Sequence, residues 1–136
     1  MKKLFPTETL HRMPQASASI SREDYLERIH ELIEEKGYAR SVDIARALEI
    51  SQSSVTSMVQ KLAKEGLLNY EKYRGLTLTD EGLAVARSIQ ERHRILKRFL
   101  SQIGVSPATQ ERDIEGIEHH LSDETVKALA RLSNSL

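Results

Sequence analysis

The stretch SVDIARALEISQSSVTSMVQKL, residues 41–62, decides the fold of this chain. Val42, Ile44, Ala45 and Leu48 recur at the spacing of one helical face, and Val55, Met58, Val59 and Leu62 do so again after a break. The break, Glu49-Ile50-Ser51, is only long enough for a tight turn, and the Ser51 hydroxyl can cap the helix that follows. Two short helices about such a turn make a helix-turn-helix. Past Gly66 the period shortens: Leu67 to Thr79 reads as two short strands around a basic turn, which adds a wing.

Upstream, Leu26, Ile29, Leu32 and Ile33 define the apolar side of a first helix that starts at Ser21 and ends at Gly37. Asp24, Glu27, Glu31 and Glu34 fall roughly opposite. Downstream, Thr79 or Asp80 caps a long helix running to about Ile103, with Leu83, Ala86, Ile89, Leu96, Leu100 and Ile103 in one stripe. That stripe is longer than a small winged domain can cover, so a second domain or subunit is expected against it. Gly104 closes the helix, Ser106-Pro107 opens another that runs to about Leu121, and Ser122 caps a last one carrying Val126, Leu129 and Leu132. The expected fold is mainly α: a winged helix-turn-helix with a small β-hairpin wing over residues 21–79, then an all-helical dimerisation domain over 80–136 that begins with a long linker helix, 80–103. Residues 1–20 contain two prolines and the run Gln15-Ala16-Ser17-Ala18-Ser19, show neither period, and read as a loose tail; Met13 offers an alternative start.

A chain of 136 residues, 39% hydrophobic, can bury one core, or a small core plus a helical extension that a partner covers, so a homodimer is expected. With 4% aromatic residues and no Trp, the interior must be built from Leu, Ile, Val and Ala, which suits packed helices. Twenty basic and 20 acidic residues cancel, so any attraction to nucleic acid must come from a local patch. The absence of Cys excludes disulfides and thiolate ligands and fits a reducing interior. No apolar run approaches the roughly 20 residues that cross a bilayer, and Pro6, Thr7 and Glu8 interrupt the basic start before a signal-like apolar stretch develops. A cytoplasmic location without membrane contact is expected.

The local patch lies on the third helix. Ser51, Gln52, Ser53, Ser54, Thr56, Ser57 and Gln60 give it an outward face of short polar side chains able to approach base edges and phosphates. Lys61 and Lys64, with Lys72 and Arg74 in the wing turn, add cations where flanking phosphates should lie. A solvated surface helix can show similar residues, but the helix-turn-helix-wing order favours double-stranded DNA as the partner.

A second set of residues carries metal chemistry. His93 follows Ile89 by four residues and precedes Leu96 by three, which puts it on the apolar stripe of the long helix. In the helix after Pro107, Glu115, Glu118 and His119 share one sector beside the face marked by Ile114, Ile117 and Leu121, while His120 points elsewhere. Carboxylates and an imidazole crowded into one sector repel or desolvate each other unless a cation neutralises them. Asp24 and Glu27 complete the candidates, each with a plainer alternative: Asp24 can close a capping box with Ser21, and Glu27 can be solvated. His93, too, can be a hydrogen-bonded core residue. Oxygen donors with one or two imidazoles suit manganese, ferrous iron, cobalt or zinc. Four carboxylates and two histidines exceed the need of one ion, so two neighbouring ions sharing carboxylates are expected.

The runs Asp24-Tyr25-Leu26-Glu27, Glu34-Glu35-Lys36-Gly37-Tyr38-Ala39-Arg40, Met58-Val59-Gln60-Lys61-Leu62, Tyr70-Glu71-Lys72-Tyr73-Arg74-Gly75-Leu76 and Glu115-Gly116-Ile117-Glu118-His119-His120-Leu121 closely resemble the diphtheria toxin repressor family, in its manganese-responsive form. The resemblance spans roughly residues 22 to 130. It implies a homodimeric, metal-activated repressor of manganese-uptake genes, not an enzyme, with Asp24, Glu27, His93, Glu115, Glu118 and His119 as ligands to a pair of Mn2+ ions. Iron-responsive relatives carry a methionine at the place of Asp24 and a cysteine among the later ligands; this chain has neither. Gln52 stands where relatives often have proline, and Ser57 where a basic residue can occur, which bears on the operator sequence.

The ligands divide between the first helix and the later helices. Metal should therefore join the two units and fix the separation of the reading helices near the ~34 Å of one DNA turn. Two rivals remain open at this point. One is a winged-helix regulator of a small organic ligand; the other is a dinuclear hydrolase using bridged ions to activate water.

Overall fold

The computed structural model describes residues 21–71 and 75–136. The expected tail, Met13, and the wing residues Lys72 and Arg74 lie outside the described residues. Helix α1 spans Arg22–Lys36 and begins in a capping box: Ser21 Oγ accepts the Asp24 N–H, and the Asp24 carboxylate accepts the Ser21 N–H, both at 3.1 Å. Gly37, at φ 81°, ends it in the left-handed conformation and donates to Ile33.

Helices α2, Ser41–Leu48, and α3, Gln52–Lys64, are joined by Glu49-Ile50-Ser51. Glu49 takes the left-handed conformation at φ 56°, and the Ile50 N–H reaches back to the Ala45 carbonyl at 3.0 Å, so the turn closes within three residues. Ser51 caps α3 by accepting the Ser54 N–H. Strands β1, Leu68–Glu71, and β2, Gly75–Leu78, pair antiparallel in the register Leu68 to Leu78 and Tyr70 to Leu76. Leu76 also donates to the Ala39 carbonyl at 2.7 Å, which ties the wing to the segment between α1 and α2. Gly75 is required at that contact: it sits at φ 87°, and a Cβ there would lie 2.4 Å from the Ala39 oxygen.

Leu26, Ile29, Ile44, Val55, Leu62 and Leu76 are fully buried and draw α1, α2, α3 and β2 onto one core. Each contributes about 1.5–3 kcal/mol of transfer free energy. Thr79 caps the long helix α4, Asp80–Gln102, accepting from Gly82 and donating to the Gly66 carbonyl at 2.7 Å. Helix α4 then runs along α1 and carries α5, Pro107–Ile117, and α6, Asp123–Ser135, on its distal half. Ile89, Leu96, Ile114 and Val126 are buried there, but Ile103, Leu132 and Leu136 remain exposed. No described helix is long and apolar enough to cross a membrane.

One expected boundary moves. The helix opened by Pro107 stops at Ile117 instead of Leu121, and residues 118–120 form a turn. The Arg92 guanidinium, on α4, donates to the carbonyls of both Glu118 and Leu121. It thereby satisfies the carbonyl of the C-cap residue and a second one where the turn leads into the next helix, and so holds the chain that leaves α5. Ile117, expected on the buried side, is 38% exposed.

Candidate metal centre

Six residues were expected at the site, and they come from three elements. Asp24 and Glu27 lie one turn apart on α1, His93 is on α4, Glu115 is on α5, and Glu118 and His119 are in the turn that ends α5. Asp24, Glu118 and His119 converge most tightly, each offering a donor atom within 4.8 Å of the others. His119 Nε2 lies 2.9 Å from Asp24 Oδ1 and 3.4 Å from Glu118 Oε1. The other Glu118 oxygen, Oε2, faces His93 Nδ1 at 3.2 Å. Glu27, His93 and Glu115 line, with Asp24 and Glu118, one cleft of about 670 Å³.

Asp24 closes the capping box without leaving the cluster. Oδ2 closes the capping box and Oδ1 faces His119. Glu115 does not join the tight trio: its side chain is exposed and only lines the cleft. Glu118 caps the end of α5 in helical conformation and is buried, and His119, in the turn that follows, faces α1.

The electrostatics are those of a cluster short of positive charge. Glu118 is only 3% exposed. Burial raises its carboxyl above the ordinary range, an effect the hydrogen bond from His93 and the proximity of His119 only partly offset. Glu27 is pushed up to about 7, first by burial and then by the charges of Glu118, Glu31 and Asp24, with His93 pulling the other way. Burial opposes protonation of His119, but the hydrogen bond to Glu23 and the charges of Asp24 and Glu118 outweigh it, so the ring is held above its ordinary value. Among the described residues no lysine or arginine pairs with Asp24, Glu27 or Glu118. Oxygen and imidazole donors that converge, are partly desolvated and lack a matching cation suit a hard or borderline divalent ion.

Two contributors were not read from the sequence. Glu23 Oε2 lies 2.6 Å from His119 Nδ1, yet at the start of a helix an acid reads as a partner of the helix dipole. Arg92 precedes His93 and reads as one more surface cation; it instead holds the turn that presents Glu118 and His119, and pairs with Asp123 beyond it.

The face of α3 expected to meet DNA is exposed at Ser51, Gln52, Ser53, Ser54, Thr56, Ser57, Gln60 and Lys61. Some of its hydroxyls are engaged locally: Ser51 Oγ contacts Ser53 and Ser54, and Thr56 Oγ1 donates to the Gln52 carbonyl.

A winged helix-turn-helix whose first helix shares a donor cluster with an appended helical unit defines the class: a winged-helix regulator with a metal-type site at the joint between its two parts. Family comparison narrows the class. The model described as "Iron dependent repressor, N-terminal DNA binding domain" matches residues 18–76, and "Iron dependent repressor, metal binding and dimerisation domain" matches residues 79–136. The chain belongs to the iron dependent repressor family. It is similar to the HTH-type transcriptional regulator MntR of Geobacillus kaustophilus (strain HTA426), 59% identical over 102 residues that cover 75% of this chain and 72% of that protein. With the regulator of the same name from Lysinibacillus sphaericus (strain C3-41) it is 53% identical over 112 residues, covering 82% of this chain and 81% of the relative. Among solved structures, the manganese regulator SloR matches with a TM-score of 0.75 and 32% identity over 84% of this chain; the match spans only 54% of the SloR chain. Relatives named as transcriptional regulators set aside the hydrolase reading.

Proposed function

We propose that this chain is a manganese-dependent transcriptional repressor of manganese-uptake genes, acting in the cytoplasm as a homodimer on double-stranded operator DNA. The observation that carries the reading is the meeting of α1, from the DNA-binding unit, with α4 and the end of α5 around one set of oxygen and imidazole donors. The names of the similar proteins support manganese as the ion.

Asp24, Glu27, His93, Glu115, Glu118 and His119 would hold the metal, two Mn2+ per subunit. Bound there, the ions supply positive charge to a crowded group of carboxylates. Asp24 and Glu27 move with α1, whereas His93, Glu118 and His119 move with α4 and α5; donors drawn together therefore fix one unit against the other. The exposed face of α3 reads the major groove, with Gln52, Ser53, Thr56, Ser57 and Gln60 nearest the bases, and Lys61 and the wing residues Lys72 and Arg74 on phosphates. Metal and operator become coupled ligands, each raising affinity for the other. Exposed Ile103, Leu132 and Leu136 supply apolar surface for the second subunit.

The test is operator binding titrated with Mn2+, and in parallel with other divalent ions, using wild type and His93→Ala. Wild type should bind far more tightly with Mn2+ than with chelator, and the variant should remain a folded dimer without that response. Equal operator affinity with and without Mn2+ would reject the proposal and favour a small organic effector; a stronger response to another ion would correct the metal.

A further inference from the structure

The His119 ring stands between two clefts. Its Nε2 edge faces Asp24 and Glu118, which line the donor cleft. Its Nδ1 edge faces Glu23, and both residues line a separate cleft of about 360 Å³ bounded by Ala84, Ser88 and Arg92 of α4. The ring is 14% exposed, and the Glu23 contact at 2.6 Å is the shortest hydrogen bond it makes. A metal-binding imidazole must present an unprotonated nitrogen to the ion, and a carboxylate on the opposite nitrogen selects that tautomer and fixes the ring's rotation. Glu23 is the acceptor so placed. It is contributed by α1, on the opposite side of the domain joint from His119 and 96 positions away in the chain.

We infer that Glu23 is the positioning residue for His119: it accepts the Nδ1 proton and thereby aims Nε2 at the donors of Asp24 and Glu118. This rests on the metal-site reading above. Glu23 has no donor in the tight trio, so its effect passes through the imidazole. Substitution separates its hydrogen-bonding role from its charge. In Glu23→Gln the amide oxygen can still accept from Nδ1 but the charge is gone; in Glu23→Ala both are lost.

Mn2+ binding to the full chain is measured by the electron paramagnetic resonance signal of free ion, with circular dichroism of the metal-free proteins as a check on folding. Glu23→Ala should bind Mn2+ about 10- to 100-fold more weakly than wild type, the usual consequence of losing such a partner. Glu23→Gln should recover most of that loss while the metal-free helicity of all three stays alike. Equal weakening in both variants would mean that only charge matters, and wild-type affinity in Glu23→Ala would mean that the contact does nothing; either overturns the assignment. Failure of wild type itself to bind Mn2+ would instead reject the metal-site reading on which the assignment stands.

Discussion

Glu27→Gln should stabilise the metal-free protein at pH 8 while removing a proposed metal donor. The Glu27 carboxyl is raised from 4.5 to about 7 in the folded protein, by burial and by Glu118, Glu31 and Asp24. The folded state thus holds this proton more tightly than the unfolded chain does. That stabilisation is complete below the unfolded value of 4.5 and is lost as pH rises through about 7. At about 1.4 kcal/mol per decade the gap corresponds to about 3 kcal/mol. Glu27 is partly open to the cleft, and solvent screening reduces this to about 2 kcal/mol. Glutamine carries no charge at any pH, so at pH 8 it escapes the unfavourable ionisation, whereas below about pH 5 it resembles the protonated wild type. Urea denaturation of both proteins, with chelator and at one fixed protein concentration, measures the difference. The variant should be about 2 kcal/mol more stable at pH 8, and the difference should shrink towards zero in acid. Glu118 and His119 are raised in both proteins, so their contribution largely cancels in the comparison. A variant no more stable than wild type at pH 8, or an offset that does not change with pH, would refute the reasoning.

Two further substitutions address other parts of the molecule. Lys61→Ala removes an exposed cation from the reading helix; operator affinity in the presence of Mn2+ should fall similarly for specific and unrelated DNA, and the slope of log affinity against log salt should decrease by about 1. Arg92→Ala leaves the Glu118 and Leu121 carbonyls without their donor, and should lower stability in denaturation by about 1–3 kcal/mol and weaken Mn2+ binding through a looser turn.

Five of the six described helices were legible because each begins with a side chain that performs a local task, whereas α2, which has no side-chain cap, was legible from its apolar period alone. Ser21, Ser51, Thr79, Ser106 and Ser122 all accept a backbone N–H in the first turn of the helix that follows. The wing was legible from a change of period after Gly66, and the core of the winged unit from the faces carrying Leu26, Ile44, Val55 and Leu62. The end of α5 was not, because it is set by Arg92, 26 residues earlier in sequence than Glu118. The same distance limit applies at the site. Residue types and local spacing nominate Glu115, Glu118 and His119, but only the fold shows that the turn at 118–120 carries two of them toward α1 and leaves Glu115 at the rim of the cleft. Glu23 was invisible for a different reason: its first-turn position already explains an acid there, so nothing in the sequence asks for a partner 96 residues on.

The raised carboxyls also bear on how a switch of this design is set. A proton and a divalent ion answer the same need at Glu27 and Glu118, since either relieves the unfavourable charge that burial imposes. Below about pH 7 Glu27 is already neutral, so metal must displace its proton; above that pH the carboxylate is free but unfavourable, and metal meets a poised donor. His119 moves in the same direction, because protonation blocks the nitrogen that faces Asp24. Apparent Mn2+ affinity should therefore climb as pH rises through neutrality, while the metal-free fold becomes less stable over the same interval. The two trends have one origin. Ionised, partly buried acids on α1 and at the end of α5, with only the imidazoles of His93 and His119 beside them, make a joint that a cation would strengthen, which is the physical basis for proposing that the position of the DNA-binding unit depends on the metal.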